Sequence, residues 1–280
     1  MQLKYKVMKK VIIPFSGSQF SKGAISFADN LHSIKPILLT GVFLPAVDYA
    51  RIFFFPTAFS APTYIPVEED FEEDEVEANI DQFARYCQKN LIEYRVHKDL
   101  YDSAIPQLTK ETRFADLMII GSETFYKSGV TYGSNEYLKD ALHETECPAI
   151  IVPEEFTFPT HVVLAYDGSA ASVFAIKQFA ALFPELCNRK TILVFAGNEK
   201  NKIPDPVLIE ELAARHFSDL TITKLTADSK DEIINWFYPH KDALIVSGSF
   251  GRSGMSELFR KSFIMDIIKE YNTPVFVAHQ

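Results

Sequence analysis

Two stretches of the chain are written to one plan. "VIIPFSGSQFS" (Val11–Ser21) and "VVLAYDGSAAS" (Val162–Ser172) each run from an apolar segment through a Gly-Ser turn into a helical pattern. Two further blocks follow in the same order. "DLMIIGS" (Asp116–Ser122) matches "ALIVSGS" (Ala243–Ser249), and "CPAIIVP" (Cys147–Pro153) matches "TPVFVAH" (Thr273–His279). Three ordered blocks mark a duplication. The later pairs lie closer together than the first pair. The first copy therefore carries an insertion between its first and fourth strands, at residues 45–78.

Within each copy, short β-branched runs alternate with helical patterns. The first copy reads as strands near Val11–Phe15, Pro36–Phe43, Tyr94–Lys98, Leu117–Gly121 and Ala149–Val152. Its helices lie near Phe20–His32, Glu72–Asn90, Ile105–Arg113 and Asn135–Glu144. The second copy gives strands near Val162–Tyr166, Thr191–Ala196, Leu220–Leu225, Ala243–Ser247 and Pro274–Ala278. The first, fourth and fifth strands are apolar almost throughout, the pattern of parallel strands covered on both faces. Alternating β and α units predict an α/β fold with a doubly wound parallel sheet in each copy. At 280 residues, each half is long enough to bury its own core. The polar, proline-ended "EEFTFP" (Glu154–Pro159) reads as the linker between domains at 8–153 and 160–280.

The chain holds 11 glycines. Gly17, Gly121, Gly129 and Gly133 cluster after strands one and four of the first copy, and Gly168, Gly248, Gly251 and Gly254 do so in the second. Glycine suits a positive φ or a close approach of backbone to ligand. In a doubly wound sheet, ligands sit beyond the carboxyl ends of the strands where strand order reverses. Helix N-termini there suit phosphate. Two such clusters in two copies point to a present or ancestral anion site rather than to tight turns alone.

These motifs resemble the universal stress protein family in its tandem two-domain form, over nearly the whole chain. The resemblance implies two five-stranded domains like those of adenine nucleotide α-hydrolases, joined through their last strands into an intrachain pseudo-dimer. It also implies a cytoplasmic stress-response binding or signalling module, with ATP, accompanied by Mg2+, as ligand. ATP-binding members carry G-x2-G-x9-G-[ST] after strand four and an Asp after strand one. The second copy keeps Asp167, Gly168, Ser169, Gly248, Ser249 and Gly251, but Lys261 stands at the third glycine, followed by Ser262. The Lys261 side chain would either fill the phosphate space or, with Arg252 and Arg260, add charge to it. The first copy has Ser16 in place of the Asp, then Gly17, Gly121, Thr124 at the second glycine, and Gly133-Ser134 one residue early. Glu123 adds a negative charge to that loop. On this reading the second copy holds the more intact site, and the first has drifted toward a scaffold or another ligand.

Other features bound the function. A net charge of −9 argues against nucleic acid as a partner, which would need a basic face. No apolar run is long enough to span a membrane, and MQLKYKVMKK at the start contains no signal-peptide core. Cys87, Cys147 and Cys187 are odd in number and widely spaced, which fits reduced thiols. The insertion holds Phe53, Phe54, Phe55 and Phe59. So many aromatics are expected to pack against the chain's second domain or a dimer partner, or else to form a lid or a docking surface for another protein. The acidic "EEDFEEDEVE" (Glu68–Glu77) reads as the solvated start of a long helix. His143 and Cys147 have a spacing that can bind zinc, but Cys147-Pro148 falls where the family enters its fifth strand, so no metal site is expected. The seven histidines are otherwise scattered, and no catalytic Ser/His/Asp or Cys/His set follows from spacing. Three functions stay open: a nucleotide-binding module without substantial turnover, a slow ATPase, and a ligand-free interaction scaffold.

Overall fold

The computed structural model describes residues 8–16, 20–44, 47–55, 63–68, 73–100, 104–122, 141–227, 229–248, 267–268 and 270–278; over 47–55 and 63–68 it describes the backbone alone. The chain divides into two compact units, Met1–Cys147 and Pro148–Gln280.

The first unit is built on β1 (Lys9–Ser16), β2 (Ile37–Leu44), β5 (Glu93–Lys98) and β6 (Leu117–Gly121), in the spatial order β6-β1-β2-β5. All three pairings are parallel. The helices are α1 (Lys22–Ile34), α2 (Glu73–Lys89) and α3 (Ala104–Arg113). Residues 141–144 are also helical; the rest of the helix expected at Asn135–Glu144 lies outside the described residues. Phe15 stacks on Phe43 at 4.7 Å between ring centroids, and the edge of Phe83 meets Phe15 at 5.8 Å. Phe83 comes from α2, whose buried stripe of Val76, Phe83 and Cys87 seats an otherwise polar helix on the sheet. The exposed Glu73, Asp74 and Glu75 open that helix, as expected for the acidic run.

The insertion contains a structure the sequence reading does not include. β3 (Val47–Phe55) and β4 (Thr63–Glu68) pair antiparallel as a separate two-stranded sheet, with a register irregularity between Asp48 and Ile52. Phe59 lies outside the described residues.

The second unit has β8 (His161–Ala165), β9 (Lys190–Gly197), β10 (Asp219–Thr226), β11 (Ala243–Gly248) and β12 (Val275–Ala278). They are ordered β10-β9-β8-β11-β12, all parallel. In chain order within the copy this reads 3-2-1-4-5, so strand order reverses between β8 and β11. β7 (Ala149–Val152) belongs to this unit and pairs antiparallel with β12. The helices are α4 (Ala170–Leu182), α5 (Pro206–His216) and α6 (Lys230–Phe237). Ala175, Ile176, Phe179 and Ala180 form the buried stripe of α4, and Phe179 meets Phe183, Phe217 and Phe276 in one aromatic cluster. The linker is held to this unit. The Arg189 guanidinium donates to the Pro159 carbonyl and lies 5.4 Å over the Phe158 ring. Among the described residues, no helix is long and apolar enough to cross a membrane.

Candidate functional site

The reversal between β8 and β11 is where a doubly wound sheet opens a crevice, and Gly168 and Gly248 lie at the ends of these two strands. The last registered pair is Leu164↔Val246. Tyr166 and Gly248 are therefore the next like-facing positions along the two strands. A Cβ on Gly248 would lie 2.6 Å from both the Ala171 carbonyl carbon and the Ser172 amide nitrogen. Only a residue without a side chain lets the end of β11 press against the first turn of α4. Asp167 and Gly248 thus belong to one corner of the unit.

The turn between β8 and α4 is set by its own side chains. The Asp167 Oδ1 accepts a hydrogen bond from the Ser169 amide at 2.9 Å. Ser169 then caps α4, its Oγ accepting from the Ser172 amide at 3.1 Å. Gly168 has φ +82°, the left-handed region. A Cβ there would meet the Cβ and Cγ of Pro204 at 2.5 and 2.7 Å. Pro204 belongs to the loop between β9 and α5, and the buried Tyr166 donates its hydroxyl to the Pro204 carbonyl at 3.0 Å. Burial, with the charges of Asp205 and Asp167, raises the Tyr166 pKa, so the phenol keeps its proton and remains a donor. The same loop is braced at its start, where Asn198 Oδ1 accepts from the amides of Lys200 and Asn201 at 3.0 and 3.2 Å.

The first copy departs from this geometry. Its strand β1 continues to Ser16, and α1 begins only at Lys22, capped by Ser21 through the Ala24 amide at 3.2 Å. In the repeat, Ser21 corresponds to Ser172 and Ser18 to Ser169, so the first-copy helix starts about one turn later. Serine at position 16 offers no carboxylate for the Asp turn that starts the helix early in the second copy.

Of the residues singled out from sequence, Asp167, Gly168, Ser169 and Gly248 come together, and Gly121 ends β6 in the first unit. Ser249, Gly251, Arg252, Lys261 and Ser262 lie outside the described residues, as do Gly17, Gly133 and Ser134; Ser16 is described in its backbone only. The sequence reading misses Tyr166, Pro204 and Asp205. The one signal pointing to that loop is "IPDP" (Ile203–Pro206), with Pro206 at the first position of α5. His143 Nδ1 lies 2.9 Å from Glu144 Oε1, and burial raises the Cys147 thiol pKa to about 12.

No family model and no curated protein matches the chain. Solved structures do. A universal stress protein from Archaeoglobus fulgidus DSM 4304 superposes with a TM-score of 0.68 at 13% identity, covering 97% of this chain and 96% of that one. A putative universal stress protein from Pseudomonas aeruginosa UCBPP-PA14 gives 0.57 at 12% identity, covering 97% and 93%. A functionally unknown protein from Pseudomonas aeruginosa PAO1 gives 0.58 at 11%, covering 97% and 92%. With the strand order β10-β9-β8-β11-β12 in the second unit and a match along nearly the whole of each chain, the fold of this protein is that of the universal stress proteins.

Proposed function

We propose that the second repeat binds an adenine nucleotide, ATP with Mg2+, and that the chain acts as a stress-linked binding module with no substantial turnover. The observation that carries this reading is the contact of Gly248 with the first turn of α4, beside the Asp167–Ser169 turn at the reversal of strand order. In it, Asp167 is a fixed hydrogen-bond acceptor for the nucleoside. One oxygen is held by the Ser169 amide, which orients the other. The N-terminus of α4 supplies partial positive charge toward phosphate, and the family resemblance assigns the phosphate side to Gly251, Arg252, Lys261 and Ser262. In this reading Asp167 stands on the nucleoside side rather than beside the phosphates, which favours binding over a slow ATPase.

A second reading, a ligand-free scaffold, is favoured by Pro204, which lies directly against Gly168 and is held there by Tyr166. Calorimetric titration with ATP and Mg2+ separates the two. Saturable heat that is lost in Gly251→Val and kept in Gly121→Val supports the nucleotide site. No heat with any adenine nucleotide supports the scaffold. Phosphate release above the buffer rate would reinstate the enzyme.

A further inference from the structure

At the opposite end of the second unit, where β8 and β11 begin, two histidines far apart in sequence face each other. His161 heads β8 and is 8% exposed. His240 ends the single 3-10 turn Tyr238–His240 that follows α6. The Nε2 of His161 lies 3.2 Å from the Nδ1 of His240. Asp242, just before β11, places its Oδ1 3.6 Å from the other His161 nitrogen, Nδ1. The Thr160 hydroxyl lies 3.3 Å from that same nitrogen and donates to Asp242.

We propose that His161 and His240 form a proton-operated latch that fastens the Tyr238–His240 turn to the foot of β8. One proton fits between the facing nitrogens and two do not. Asp242 favours a proton on the Nδ1 of His161, which leaves its Nε2 to accept from the Nδ1–H of His240. A first added proton binds the Nε2 of His240 and keeps that hydrogen bond. A second has only the Nε2 of His161 to bind, sets N–H against N–H, and opens the latch.

The other charged groups facing the pair are Lys190 at the start of β9, which opposes protonation, and Asp242, which favours it. From the remaining neighbours, Lys241 lies 6.0 Å over the Tyr238 ring, and the Thr273 hydroxyl, ahead of β12, donates to the Lys241 carbonyl at 3.2 Å. Burial is the largest influence on both histidines and lowers their proton affinity. The unfolded chain therefore takes up protons first. Stability that is present above the ordinary histidine range is lost as pH falls through it. The strands that begin at this end lead to Asp167 and Gly248 at the other, but the latch does not depend on what binds there.

The chain contains its own reporter. Trp236 is its single tryptophan, and its ring lies 4.5 Å from that of His240. An imidazolium at that distance quenches indole emission, so emission of the intact protein is followed from pH 8 to pH 5. The wild type should show two steps, a loss of emission as His240 takes the first proton and a second change as His161 takes the next and the turn comes free, the second below the ordinary histidine range. His240→Gln should abolish both, and His161→Gln should leave one step. An emission flat with pH, or a single step identical in the wild type and His161→Gln, overturns the latch. If the variants do not fold, long-range 1H–15N spectra of wild-type imidazoles decide. A shared proton with coupled titration supports the latch, and two independent titrations overturn it.

Discussion

Gly168 and Gly248 do their work through the side chain they lack, and each excludes one for a different reason. At Gly168 the backbone has φ +82° and Pro204 occupies the space of a Cβ. At Gly248 the obstacle is backbone, which cannot rotate away as a side chain can. Gly248→Ala should therefore destabilise the second unit by about 1–3 kcal/mol, the usual range for forcing atoms into a filled site. Urea unfolding followed by far-UV circular dichroism checks this; a change below the error of the fit would mean that β11 and α4 are not in contact. Both glycines were legible in the sequence, because clustering after strands one and four has a physical cause. Tyr166 and Pro204 were not. A hydroxyl bonded to a main-chain carbonyl leaves no residue pattern, and a tyrosine ending an apolar strand reads simply as core.

Helix start points separate the two repeats more clearly than the strands do. Ser169 opens α4 directly after the Asp turn, whereas Ser21 opens α1 about a turn further along. Ser169→Ala and Ser21→Ala should each cost about 1 kcal/mol, the usual worth of a serine cap. In thermal unfolding each should lower the melting temperature of its own unit, and Ser169→Ala should do so with or without nucleotide. Strand and helix identities were readable because the first, fourth and fifth strands of each copy are nearly continuous apolar runs, and most boundaries fall within two residues of expectation. The hairpin β3–β4 escaped because Pro66 sits inside its second strand. Proline argues against a central strand, but in a two-stranded sheet both strands are edges, where a missing N–H is tolerated. Phe53–Phe55 therefore read as a sticky insertion without a secondary structure.

Across the molecule, the thiols report folding. Burial is the largest influence on all three, raising the pKa to about 12 for Cys87 and Cys147 and to about 11 for Cys187. At pH 8 none should react with iodoacetamide in the folded protein, and labelling should follow unfolding, with Cys87 and Cys147 reporting the first unit and Cys187 the second. Mass spectrometry of pulse-labelled peptides checks this; rapid labelling of any one without denaturant contradicts its burial. The copies read from sequence and the compact units have different limits. By sequence the first copy runs through Pro153, while Ala149–Val152 lies in the second unit, its Ile151 opposite Val275. A ribosome delivers this apolar strand more than a hundred residues before its antiparallel mate. Throughout that interval the side of Ala149–Val152 that will face Val275–Val277 stays open on the nascent chain, and translation of the β12 codons supplies its ladder.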